Sequence, residues 1–246
     1  MTAMEYATAL ALPNQTIEAL KQITIDVPPL DASVDLSKYD ELTILRIFLE
    51  WIPALQAKYA ALGIPENMFR DNLKDLTIWP QDYWDKHQAP GFAEWEWVSN
   101  TFFLKVFRLG RLQFEPSQLD GTPVLEVHIP ACEPLDEGAV AEAMAQAPAF
   151  FRNHFQKEFS MFRCHSWLLC PKLKEILPET SRIIRFQNLF TVYGEDDERQ
   201  AEERVFGAPL DDPRHYPEHT SLQRAMKRAL LEGKTFGMGM GIRKIP

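Results

Sequence analysis

Apolar residues recur at helical spacing through the first hundred positions. In KYDELTILRIFLEWIPALQAKYAALG, residues 38–63, Leu42, Leu45, Phe48, Leu49 and Ile52 fall on one face. Pro53 is expected to kink or interrupt that helix, because it has no N–H to donate. Gly63 followed by Pro65 reads as a stop signal. The next run, PENMFRDNLKDLTIW, repeats the pattern with Met68, Phe69, Leu73 and Leu76. In FAEWEWVSNTFF, Trp95, Val98 and Phe102 form a helical stripe, although so many aromatics also suit a strand.

The period changes near residue 104. LKVFRLGRLQFE alternates and has Gly110 in mid-run, so one strand bent or bulged at the glycine is expected. PSQLDGTP is a turn signal and VLEVHIP a second strand, which together give a hairpin. LDEGAVAEAMAQAPAFFRNHF then reads as a long helix, capped by Asp136, with Pro148 in its path. SMFRCHSWLL reads as a strand, and PKLKEIL as a short helix with Pro171 at its first position. SRIIRFQNLFTVYG has strong strand character. DDERQAEERVFG and SLQRAMKRALLEG read as helices, and KTFGMGMGIRK as a last glycine-rich strand. The expected organisation is a helical region over residues 1–104 followed by an α/β (α+β) region over 105–246, a mixed sheet flanked by helices.

Composition narrows the partners. A formal net charge of −9 and a pI near 5.2 disfavour nucleic acid and anionic lipid. Cys132, Cys164 and Cys170 are too few and too irregular for a disulfide framework, which fits a reducing, cytoplasmic setting. No apolar stretch reaches the ~18 residues that span a bilayer, and no secretory leader is read at the N-terminus. Cys164 and Cys170 lie outside zinc-ligand spacing and no second pair follows, so no metal is expected. MGMGIR lacks the context of a nucleotide-binding glycine loop.

Several strings occur in a telling order: FRLGRLQFE, VLEVHIP with PLDEGAVAEAMAQAPAFFRNHF, CHSWLL, RIIRFQNLF and TSLQRA. Together they resemble a bacterial family of GNAT-like acyltransferases with a helical N-terminal domain and a GNAT-fold (N-acetyltransferase) C-terminal domain. The resemblance runs from about residue 35 to the end. It implies acyl-CoA as co-substrate and an amine or hydroxyl acceptor on a small molecule or peptide. It also implies a splayed pair of strands, 123–130 and 160–169, with the pantetheine arm in the gap against the backbone of Val127 and Ile129. The pyrophosphate would then sit at the helix start near Gly138 and Ala139. The loop before that helix, ACEPLDEG, departs from the superfamily pattern: Glu133, Asp136 and Glu137 would repel a pyrophosphate. That departure keeps open an alternative, a catalytically silent GNAT-fold ligand-binding or interaction protein.

Four residues are candidates for the chemistry. Glu126 and His128 share one strand face, and either can take a proton from an acceptor amine near neutral pH. An unreactive polar face is the plain reading of the same pair. Cys164 or Ser166 can in principle protonate a leaving thiolate, against the plain reading of Cys164 as a small buried apolar residue. Cys164 and His165 are expected on opposite strand faces, which argues against a thiol nucleophile with a histidine base.

Overall fold

The computed structural model describes residues 1–131 and 133–246; Cys132, the remaining cysteine of the sequence reading, lies outside them. The chain divides into two compact units, Met1–Gly110 with Phe150–Gln156, and Arg111–Ala149 with Lys157–Pro246.

The first unit holds helices α1 (Ala3–Ala9), α2 (Asn14–Lys21), α3 (Glu41–Ala61), α4 (Glu66–Asn72), α5 (Asp75–His87) and α6 (Trp95–Phe102), then the short strand β1 (Phe107–Leu109). α3 starts at Asp40, whose carboxylate accepts from the Thr43 N–H. It runs through Pro53 without interruption. Buried side chains on both sides of the proline, from Ile44 to Tyr59, hold the turns in line despite the missing hydrogen bond. Phe48 stacks on Phe102 with ring centroids 4.5 Å apart, and Phe92 meets Phe48 edge-on. The aromatic-rich segment resolves as helix, with Val98 and Phe102 buried.

In the second unit, β2 (Leu112–Leu119) and β3 (Thr122–His128) form the expected hairpin. Asp120 and Gly121 both take positive φ, the two-residue turn that matches strand twist, while Pro116 to Leu119 stay in the ladder. Gly110 does more than bend one strand: at φ +62° it breaks the run into β1 and β2. Along the chain follow α7 (Glu137–Phe155), whose residues from Phe150 on belong to the first unit, then β4 (Met161–Ser166), α8 (Arg182–Gln187), β5 (Thr191–Glu195), α9 (Gln200–Phe206), α10 (Ser221–Leu231) and β6 (Gly239–Lys244). The strand expected over SRIIRFQNLF is instead helix α8. Ser181 caps it by accepting from the Ile183 N–H, and Ile184 joins a buried cluster with Leu173, Ala201 and Met226. Packing overrides β propensity there.

The strand order in the sheet is β1-β2-β3-β4-β6-β5. The β3–β4 pair is parallel, whereas β2–β3, β4–β6 and β5–β6 are antiparallel. The glycines of β6 have a steric cause. A Cβ on Gly239 would lie 2.2 Å from the Leu169 carbonyl oxygen, and one on Gly241 would crowd Leu169 and Phe190. Only bare backbone lets the turn at 167–169 fold back over the sheet. No helix among the described residues is long and apolar enough to cross a membrane.

Candidate functional site

β3 and β4 are in register at Val124↔Met161, Leu125↔Phe162 and Glu126↔Arg163, and their ladder ends there. Both strands continue: β3 still pairs with β2 as far as His128, and β4 with β6 as far as Ser166. The two inner strands therefore part after Glu126 and Arg163, and backbone edges that no longer pair with each other face a gap. The parallel, diverging arrangement is the one expected of segments 123–130 and 160–169. The second segment stops earlier as a strand, because residues 167–169 form a 3-10 turn.

Register assigns the side chains to faces. On one face lie Glu126, His128, Arg163 and His165, with Glu115 opposite Glu126 on β2. On the other lie Leu125, Val127, Phe162, Cys164 and Ser166, all buried. Phe114 and Phe162 meet there, 5.9 Å between ring centroids. Arg243, the β6 partner of Phe162, donates to Met144 Sδ at 3.5 Å, which puts α7 on this side.

The polar face is a row of ion pairs. His128 Nε2 and Glu115 Oε2 are 3.1 Å apart. Arg163 Nη1 lies 3.4 Å from Glu126 Oε2, yet that oxygen is buried and accepts no hydrogen bond. Burial raises the Glu126 carboxyl above its ordinary value, and the Arg163 cation offsets this only in part. Arg163 Nε also donates to the hydroxyl of Tyr193 at 3.3 Å. Tyr193 sits at a bulge between Val192 and Gly194 and is exposed. A bulge re-aims the side chain that it carries.

One pair on this face was missed by the sequence reading. His165 Nε2 and Asp196 Oδ2 are 2.6 Å apart. Asp196 Oδ1 accepts from the backbone N–H groups of Glu198 and Met238, so the carboxylate is anchored. Burial pushes the Asp196 carboxyl up, but these N–H groups and His165 outweigh it and hold it below the usual range. A carboxylate accepting at Nε2 fixes the proton there and leaves Nδ1 as the basic nitrogen; Nδ1 has no hydrogen-bond partner among the described residues. Strand alternation placed His165 opposite Cys164, but its acidic partner lies 31 positions away, beyond β5, where no local spacing reveals it.

The other candidates are placed as follows. Cys164 is fully buried and burial pushes its thiol up. Ser166 is buried and its hydroxyl accepts from the Leu168 N–H, capping the 3-10 turn. Both face away from Glu126 and His165. Val127 lies past the last β3–β4 partner, where β3 borders the gap, and Ile129 follows the end of β3. Gly138 and Ala139 are in the first turn of α7. Asp136 is the expected cap and accepts from the Ala139 N–H at 3.0 Å. Glu137 is ion-paired with Arg185. Asp136 and Glu137 are thus engaged. Arg111, itself buried, donates Nε to the Pro134 carbonyl (2.8 Å), Nη1 to Pro130 (3.1 Å) and Nη2 to Glu133 (2.7 Å). Among the described residues no cluster of three or more His, Cys, Asp or Glu can hold a metal ion.

Comparison with known proteins gives two family matches. An N-acyltransferase N-terminal domain matches residues 1–104, and a GNAT-like C-terminal domain matches residues 106–243. An acyltransferase solved in complex with decanoyl-CoA is 25% identical, with TM-score 0.82 over 99% of this chain and 88% of that one. A mutant acyltransferase in complex with octanoyl-CoA is 24% identical, with TM-score 0.85 and the same coverage. An acyltransferase in complex with decanoyl-CoA and teicoplanin is 22% identical, with TM-score 0.78 over the whole of both chains. No curated protein matches the chain.

Proposed function

The chain belongs to the acyltransferase family with an N-acyltransferase N-terminal domain and a GNAT-like C-terminal domain, and on that premise we propose that it moves an acyl group from acyl-CoA to an amine or hydroxyl acceptor. The observation that carries the reading is the β3–β4 ladder, which stops at Glu126↔Arg163 while both strands run on. Parting strands leave N–H and C=O groups that an amide-bearing pantetheine arm can pair with, beside Val127 and Ile129. Structural neighbours bound to octanoyl-CoA and decanoyl-CoA support a medium-length acyl chain, and the one that also holds teicoplanin supports a small-molecule or peptidic acceptor.

The acceptor nitrogen or oxygen attacks the thioester carbonyl, loses a proton, and expels the CoA thiolate. Glu126 and His128 on one wall and His165 on the other are the groups able to take that proton. Geometry favours His165. Its Nδ1 is uncommitted, and the Asp196 carboxylate at Nε2 steadies the ring and the imidazolium that forms. Glu126 and His128 are engaged with Arg163 and Glu115 and act as the opposite wall, with the base role open to them if His165 proves dispensable. Cys164 and Ser166 are not carried forward as acids, because both face the buried side of the sheet. Gly138 and Ala139 stand at the pyrophosphate end, although Asp136 already occupies the Ala139 N–H.

That occupied N–H is also what favours the second reading, a silent binding protein. Calorimetry with acetyl-, octanoyl- and decanoyl-CoA separates the readings. Saturable binding is expected, tighter for the longer chains. An absence of heat at millimolar acyl-CoA would overturn the enzyme reading.

A further inference from the structure

We propose that Arg111 is a positioning residue for the pyrophosphate of acyl-CoA, acting from behind the β3–α7 loop instead of touching the ligand. This rests on the acyl-CoA reading above. The usual anion loop supplies glycines or basic side chains on the side that meets the phosphates. This loop, ACEPLDEG, instead carries prolines and carboxylates, and Arg111 reaches its backbone from just ahead of β2. One guanidinium donates to three carbonyl oxygens, those of Pro130, Glu133 and Pro134. Such a planar fork can fix three peptide groups at once, which a lysine ammonium cannot reproduce.

The consequence follows from peptide geometry. In a planar trans peptide the C=O and N–H point in opposite directions. With the Pro130 and Pro134 carbonyls turned toward Arg111, the N–H groups of Ala131 and Leu135 are turned to the opposite side of the loop. Two donors thereby become available for an anion, although no basic side chain stands in the segment. Electrostatics point the same way. The buried Arg111 cation lies against a stretch carrying Glu133, Asp136 and Glu137; Asp136 is engaged by the Ala139 N–H and Glu137 by Arg185. What the sequence shows as a repulsive loop is, in the fold, largely compensated.

The test compares decanoyl-CoA with S-decanoyl-pantetheine, which keeps the thioester and the arm but has no pyrophosphate. Binding of both is measured by calorimetry to the full chain and to Arg111→Lys. The expected result is a weakening of about tenfold or more for decanoyl-CoA, from loss of charge-assisted hydrogen bonds, with decanoyl-pantetheine unchanged within about twofold. An equal loss for both ligands, or none for either, overturns the role of Arg111 and leaves the acyl-CoA reading standing. If the unaltered protein binds neither ligand, the acyl-CoA reading itself fails and the inference falls with it. Should Arg111→Lys not fold, amide exchange on the unaltered chain decides. The Ala131 and Leu135 amides must be slowed by decanoyl-CoA and not by decanoyl-pantetheine, and equal rates with the two ligands refute the proposal.

Discussion

Cys164 and His165 are neighbours on one strand, yet they sit in unlike surroundings. Cys164 faces α7 among Leu125, Val127 and Phe162 and has no access to water. His165 faces the other way, beside an anchored carboxylate, with about a third of its side chain exposed. The same alternation separates Val127 from Glu126 and His128 on β3. The lesson is that burial in this sheet is assigned by face, not by residue type. The thiol lies on the packed side, and the imidazole stands on the polar side beside a carboxylate. A two-residue period allows both within one strand, because a step of one position carries a side chain across the sheet.

The contrast predicts that substitutions on one face reduce turnover and those on the other reduce stability. The largest effect is expected at His165. Exchange to Gln should lower turnover by about 10²–10⁴-fold, the usual cost of losing a general base. Stability should change by less than about 1 kcal/mol, as for other partly exposed sites. Single-turnover kinetics at saturating decanoyl-CoA, beside a thermal melt, measure both. Full turnover would return the base role to Glu126 or His128, tested in turn as Glu126→Gln and His128→Gln. Across the sheet, Phe162→Ala should cost about 3–5 kcal/mol of folding free energy, read by denaturant melts. Melts indistinguishable from the parent would mean that the apolar face is not the packed side.

The smallest effect concerns the pH dependence of Glu126. Its carboxyl binds protons more tightly in the folded chain than in the unfolded one, chiefly because it is buried. Stability from this group is therefore complete below the ordinary value of 4.5 and is lost as pH rises through the raised folded value. Glu126→Gln should remove that decline, so the variant gains on the parent as pH goes from 4 toward 8. Parallel stability curves for the two proteins across that range would show that Glu126 is not strained by its surroundings.

The fold was largely legible because it is written in short-range patterns. Helical spacing located α3, and Asp-Gly located the β2–β3 turn. The order of strands and helices placed β3 and β4 side by side. What failed was α8, where Ile183, Ile184 and Phe186 look like strand residues until Ser181 and the buried cluster decide the matter. Part of the polar face was legible. Glu126 and His128 could be placed on it together because they are two apart on one strand. His165 was seen and set aside, since its partner Asp196 lies just beyond β5, and no local pattern joins residues so far apart in the chain. Arg111 carries no local signal for the same reason: its partners are carbonyl oxygens, which every residue has and no sequence motif marks.

The parting of β3 and β4 also bears on aggregation. An unpaired strand edge on the outside of a protein is a template for another chain, and natural sheets guard such edges with charge, proline or a covering loop. Here two edges open toward each other in the interior of a sheet, and each strand is already paired on its far side. A foreign strand would have to thread between them lengthwise, whereas a slender, flexible chain bearing its own amides can slide in from the end. The molecule thus keeps the stickiness of a raw β edge while withholding it from its own kind.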